Sequence, residues 1–246
     1  MGTVFSFDVR DHPDRLSARQ AIALAVAELH RIDARYSTYL APSEISRHRA
    51  GALTEAELSD EAQKIFAACR RLRETTRHSF DPWCLPGGVD PSGYVKGWAI
   101  GRAAELIGAA GCRNFSVGGG GDLHVRGEPS PGQVWRVGIR HPDDPKQLAA
   151  IVAATELSVA TSASYERGAH IHDPRTGLPI LQHTIRSATV VGPDPGSVDA
   201  FATALFVAGL PGFEWLPIEQ GYHGMLITED DRISCDRGFP LLPADA

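Results

Sequence analysis

Residues 3–10, TVFSFDVR, alternate apolar and polar side chains and predict a strand. From Leu16 to about Arg35, the positions Ile22, Val26, Leu29 and Ile32 recur at helical spacing and predict a long amphipathic helix. A polar stretch around Ser37–Ser46 follows, then a second helix over Asp60–Thr76 with Ser59 as its N-cap. Phe80–Gly93 holds three prolines and three glycines, the composition of an irregular loop. Lys96–Ala110 reads as a helix that Gly111 terminates. Asn114–Val117, the four glycines 118–121 and Asp122–Arg126 read as two short strands around a glycine-rich turn. Further strands are expected at Val134–Ile139, Ile151–Ala154, Ser158–Ala160, Ile185–Val191 and Gly224–Thr228, with a helix over Val198–Gly209 capped by Ser197. Strands and helices interleave without a strict βαβ rhythm. That favours an α+β fold, a mixed or antiparallel sheet with packed helices, in a single domain spanning 1–246.

Composition narrows the function classes. The 246 residues carry 24 Lys plus Arg against 30 Asp plus Glu, a formal charge of −6 and a sequence pI near 5.9. This balance argues against nucleic acid or an anionic membrane as the main partner. Apolar residues, 43% of the chain, are spread along its whole length, which excludes disorder. No segment reaches the ~20 apolar residues of a membrane-spanning helix. The N-terminus turns charged within a few residues, unlike a secretory signal. Cys69, Cys84, Cys112 and Cys235 form no CxxC pair. Reduced thiols are expected, in a cytoplasmic compartment, or an extracytoplasmic one if a leader has been removed.

Four short stretches can carry chemistry, and each has a plain structural alternative. Gly118–Gly121 followed by Asp122 can cradle phosphates on backbone amides, or simply make a flexible turn. Asp199 and Thr203 share one helix face and offer hard oxygen ligands suited to Mg²⁺; the alternative is an exposed acid favoured by the helix dipole. His170-Ile-His-Asp173-Pro-Arg-Thr-Gly177 can supply a histidine base, a zinc site or a solvated turn; no Cys or Glu completes a familiar zinc spacing. Asp90-Pro-Ser-Gly-Tyr-Val-Lys96-Gly97 brings a lysine that can meet phosphate as a point charge, or be solvated. Together they suggest a phosphorylated anionic ligand, a hard metal and a histidine base.

In this order, the motifs resemble those of the FAD:protein FMN transferases, the ApbE-type flavin transferases. The shared elements are Met1-Gly2-Thr3, Ser37-Thr38-Tyr39 with Ser43-Glu44, Asp90 to Gly97, Gly120-Gly121-Asp122, His170 to Gly177, and Asp199 to Thr203. The resemblance covers essentially the whole chain. It implies a phosphotransferase that binds FAD with Mg²⁺ at its pyrophosphate and moves FMN onto a Ser or Thr hydroxyl of an acceptor flavoprotein, releasing AMP. It implies metal ligation by Asp199, Thr203 and the backbone carbonyl of Gly93. Flavin-nucleotide contacts are implied for Met1, Tyr39, Ser79, Phe80, Asp81, Asp90, Lys96 and, approximately, Ile185. Amides of the Gly120-Gly121 turn and Lys96 are possible helpers for the developing charge, and His170 is the implied base. His172 and His183 are expected to be structural or peripheral.

The chain also departs from the family pattern. The segment between Asp81 and Asp90 is shorter than in many members, Gly101 stands where an acid is common, and Gly118 stands where an Asn often precedes the GGD turn. The opening residues do not read as the lipid-anchoring leader typical of periplasmic members, and none is expected within them. Two rival activities share these residues: a Mg²⁺-dependent FAD pyrophosphatase that uses water, and an FAD-binding carrier without turnover.

Overall fold

In a computed structural model, which describes residues 2–11, 14–163, 171–180 and 184–243, the first strand and helix form where the pattern places them. β1 (Phe5–Val9) precedes α1 (Arg15–Tyr36). Asp14 opens α1 by accepting from the amides of Leu16 and Ser17, donors that no helical carbonyl reaches. α2 (Glu44–Arg49) begins inside the stretch expected to be merely polar, capped by Ser43. α3 (Asp60–Thr75) carries the expected Ser59 cap.

Two helix starts differ from expectation. α4 (Ser92–Ala109) begins four residues before Lys96, so the Asp90–Gly97 motif lies mostly on its first turns. Asp90 explains the early start: its Oδ1 accepts from the Ser92 amide at 3.0 Å. α5 (Pro195–Ala208) is capped by Asp194 rather than Ser197; the Asp194 carboxylate takes the Ser197 amide at 2.7 Å, and Pro195 at the first turn forgoes a donor that would lack a partner.

The strands are β2 (Phe115–Gly119), β3 (Asp122–Arg126), β4 (Trp135–Arg140), β5 (Leu148–Ala154) and β6 (Leu157–Ala163). They continue with β7 (His172–Asp173), β8 (Leu178–Pro179), β9 (Ile185–Gly192), β10 (His223–Thr228) and β11 (Ile233–Cys235). The pattern missed β8 and β11, which are too short to show a period. Among the described residues, seven strands join in the order β1-β2-β3-β6-β9-β10-β11, every pairing antiparallel. The fold is α+β, as expected.

Alternation along the strands divides the interior in two. Val117, Ala160, Ala188, Val190 and Leu226 face the helices, where α4 and α5 pack on the sheet and α1 packs on α4. Val159, Val191, Met225 and Ile227 face the other way and are closed over by Ile139 of β4, Val152 of β5 and Phe239.

Candidate active site

A cleft opens between the sheet and the helices, and most of the predicted site residues converge on it. Its walls include Tyr39, Phe80, Asp90, Lys96, Asp199 and Thr203. Ser79, Asp81, Gly93 and Gly120 complete the set of expected residues in the lining. Gly121 turns away beside Gly120. Ile185 is buried in β9, where it lies under Gly209 rather than in the cleft wall. His172, expected to be peripheral, lines the cleft. Met1, His170 and His183 lie outside the described residues.

Close approach of α4 and α5 sets the geometry of the centre. A Cβ on Gly97 would lie 2.1 Å from the Pro195 carbonyl oxygen and 2.8 Å from Asp199 Cβ, so glycine is required there. The contact lets the Gly97 amide donate to Asp199 Oδ2 at 2.9 Å. In a regular α-helix that amide pairs with the Gly93 carbonyl, so Asp199 competes with Gly93 for one donor. Lys96 reaches Asp199 Oδ1 at 3.2 Å. Asp199 is therefore gripped at both oxygens by consecutive residues of α4. It is 3% exposed, which removes the alternative of a solvated acid in a first helical turn.

One helical turn on, Thr203 Oγ1 lies 3.2 Å from Ser162 Oγ of β6. A Cβ on Gly93 would sit 3.7 Å from the same Thr203 oxygen and 3.2 Å from the Phe80 ring. Gly93 of α4 is thus brought beside Asp199 and Thr203 of α5, remote from it in sequence, in one oxygen-rich corner. Among the described residues no group of three His, Cys, Asp or Glu side chains converges to hold a metal. The corner's carboxylate, hydroxyl and backbone carbonyl oxygens are hard donors.

The glycine run resolves into parts with different duties. Gly118 and Gly119 belong to β2 and pair with Ser6 and Phe5 of β1; a Cβ on Gly119 would meet the Phe5 ring at 2.6 Å. Gly120 and Gly121 form the two-residue turn, with φ of 58° and 86°, the left-handed conformation that tight hairpins demand. The turn delivers Asp122 opposite Gly119, where its buried carboxylate pairs with Lys96. Lys96 is thus held by two acids rather than awaiting a ligand's phosphate alone.

Other motif residues act as scaffold. The Ser37 carbonyl, just past α1, accepts from Ser43 Oγ at 2.6 Å and from Ser46 Oγ at 3.3 Å. Glu44 binds Arg35 Nε and Ser59 Oγ, both at 2.9 Å. These contacts fix the loop that presents Tyr39, 92% exposed, on the cleft lip. Opposite, Asp81 accepts from Arg73 Nε at 2.7 Å and from the Trp83 amide at 2.9 Å, and the Asp90 amide closes the loop onto the Pro82 carbonyl. The same loop brings Cys84 to the cleft wall; burial raises its thiol pKa, with Asp81 adding to the shift.

The sequence matches the profile described as the ApbE family in two stretches, residues 1–88 and 85–225. Together they span most of the chain. It belongs to the ApbE family. The two stretches overlap at 85–88, between Asp81 and Asp90. The FAD:protein FMN transferase of Haemophilus influenzae is 32% identical over 131 residues, which make up 49% of this chain and 38% of that protein. The protein of the same name from Escherichia coli K12 is 32% identical over 151 residues, 58% of this chain and 43% of that one. The chain thus aligns with less than half the length of these relatives. Among solved structures, the flavin transferase ApbE of Vibrio cholerae superposes with a TM-score of 0.82 at 22% identity, covering 97% of this chain and 95% of that one. The ApbE protein of Thermotoga maritima gives 0.77 at 21% identity, with 95% and 92% covered. These two likenesses confirm the ApbE fold.

Ser162 and His172 line the cleft and Asp122 sits behind it against Lys96, yet the sequence marks none of the three as a site residue. Asp122 was visible in the GGD motif, but its buried pairing depends on α4 lying against β3. Ser162 carries no local signal, because its place beside Thr203 follows from strand order alone.

Proposed function

We propose that this ApbE-family chain is a Mg²⁺-dependent FAD:protein FMN transferase that moves FMN from FAD onto a Ser or Thr hydroxyl of an acceptor flavoprotein and releases AMP. The observation that carries this reading is the buried Asp199 carboxylate, clamped by Lys96 and the Gly97 amide beside Thr203 and Gly93. The donor set suits Mg²⁺: a carboxylate, a hydroxyl and a backbone carbonyl are hard oxygens, with positions left for water and phosphate. The names borne by the curated relatives agree.

Asp199, Thr203 and the Gly93 carbonyl would hold the ion. When bound, Mg²⁺ supplies charge neutralisation for the pyrophosphate and for the AMP that departs from it. Phe80, Tyr39 and the loop from Ser79 to Asp90 orient the flavin nucleotide between lip and floor. His170 takes the proton from the acceptor hydroxyl as its oxygen bonds to the FMN phosphorus, and the bond from that phosphorus to the bridging oxygen breaks, so that AMP leaves with the electron pair. General-base help of this kind is worth roughly 10²–10⁴ in rate. Positioning and electrostatics supply the remainder.

Incubating the protein with FAD, Mg²⁺ and a candidate acceptor, followed by intact-mass spectrometry, tests the reading. The expected result is an acceptor heavier by one FMN residue and one AMP released per transfer. Free FMN with no gain in acceptor mass would identify a pyrophosphatase instead, and retained FAD without AMP a carrier.

A further inference from the structure

We propose that Asp122 is a positioning residue for the metal-binding carboxylate: acting through Lys96, it supplies the negative charge that lets a divalent cation share Asp199 with the lysine. The inference rests on the Mg²⁺ reading of Asp199.

Asp122 is 5% exposed and sits behind Lys96, outside the cleft lining. Its Oδ2 takes the Lys96 ammonium, while its buried Oδ1 has no hydrogen-bond partner among the described residues. For stability alone this is a poor use of a carboxylate, because a buried acceptor without a donor carries its full desolvation penalty. Its effect on charge is clearer. Lys96 with Asp199 alone would be a neutral pair, and an arriving cation would have to compete with the ammonium for the carboxylate. With Asp122 present, two carboxylates face one ammonium, so the trio keeps a net negative charge in a poorly hydrated corner, where it attracts a cation strongly. Asp122 also draws the ammonium toward β3. Asp199 then stays held by Lys96 and Gly97. This gives the Gly120-Gly121 turn a purpose beyond contact with ligand: only a two-residue turn at positive φ returns the chain so sharply that its next residue meets α4.

The experiment is a cation titration without nucleotide, using Mg²⁺ by calorimetry and Mn²⁺ by electron paramagnetic resonance. The proteins are the wild type, Asp122→Asn and Lys96→Gln, each also melted without metal. Asp122→Asn keeps the shape and removes the charge; its cation affinity should fall roughly tenfold or more, as when outer-shell partners of metal ligands are lost. Lys96→Gln removes the competitor and should bind the cation at least as tightly as the wild type. In transfer assays Asp122→Asn should raise the Mg²⁺ concentration for half-maximal rate and recover most of its rate at saturation. Wild-type affinity in Asp122→Asn, or a rate deficit that saturating Mg²⁺ does not relieve, would assign Asp122 a merely structural role. Should Asp122→Asn fail to fold, weakened binding in Lys96→Gln overturns the proposal by itself. A wild type that binds neither cation removes the Mg²⁺ reading as well, a failure visible before any variant is made.

Discussion

The two faces of the seven-stranded sheet bury very different chemistry. Toward the β4–β5 hairpin, Ile139, Val152, Met225, Ile227 and Phe239 close an apolar cluster that any set of side chains with the right volume would fill. Toward the helices, α4 and α5 approach each other at a spacing that Gly97 and Gly196 make possible, and the layer they form with the sheet encloses Asp122, Asp199 and most of Lys96. Both faces bury apolar side chains, but the helical face also places charges where water is scarce. Substitutions on the two faces should therefore separate folding from activity.

The largest effects are expected on the helical face. Asp199→Ala should abolish Mg²⁺-dependent AMP release while the protein still retains FAD, measured by nucleotide release and by flavin absorbance after gel filtration. His170→Ala should spare FAD binding and slow transfer by about 10²–10⁴; a wild-type rate would remove its role as base. Gly97→Ala should cost about 1–3 kcal/mol in chemical denaturation and also lose activity, because the new methyl would force Pro195 and Asp199 away from α4.

On the far face, Ile227→Val should cost a comparable or smaller ~0.5–1.5 kcal/mol and leave the transfer rate unchanged. A changed rate there would break the division between the faces. It would show that the site depends on the packing of the whole sheet.

Acid should loosen the helical layer. The Arg31 guanidinium holds the Glu28 carboxyl below its ordinary 4.5. Burial pushes Glu61 upward, but Arg31 and Tyr36 outweigh it and leave it below 4.5 as well. Carboxyls lowered in the folded state contribute stability that is complete above pH 4.5 and is lost as pH falls through their folded values. The melting temperature should thus drop below pH 4.5, and the double variant Glu28→Gln, Glu61→Gln should show a shallower drop.

Thiol labelling is the mildest probe. Exposed Cys235 should react first, and Cys69, which burial pushes up to about 12, should react last. Bound FAD should slow labelling of Cys84 on the cleft wall and leave Cys235 unchanged.

Much of the helical layer was legible because its signals are local. The heptad-like recurrence of Ile22, Leu29 and Ile32 and the Ser59 cap mark helices in any context. The start of α4 was not legible, because Pro91 and Gly93 discourage a helix unless Asp90 takes the Ser92 amide and α5 packs over it. Likewise Ser197 is a good cap by propensity, but Asp194 with Pro195 behind it is a better one. At the site, the order of the motifs pointed to the residues that meet in the cleft. It did not show which of them touch ligand and which only hold the others. Ser43 and Glu44 turn out to be braces for the Tyr39 loop, and Lys96 is braced between two acids.

That bracing bears on how the protein is made. A cluster of buried carboxylates normally repels itself until an ion arrives, which ties folding to metal supply, as in small metal-dependent domains. Here the lysine is a built-in counter-ion to both carboxylates, so the chain should fold without a bound cation. On the proposed Mg²⁺ reading, loading would be a late, reversible event, and chelators should silence the protein without unfolding it.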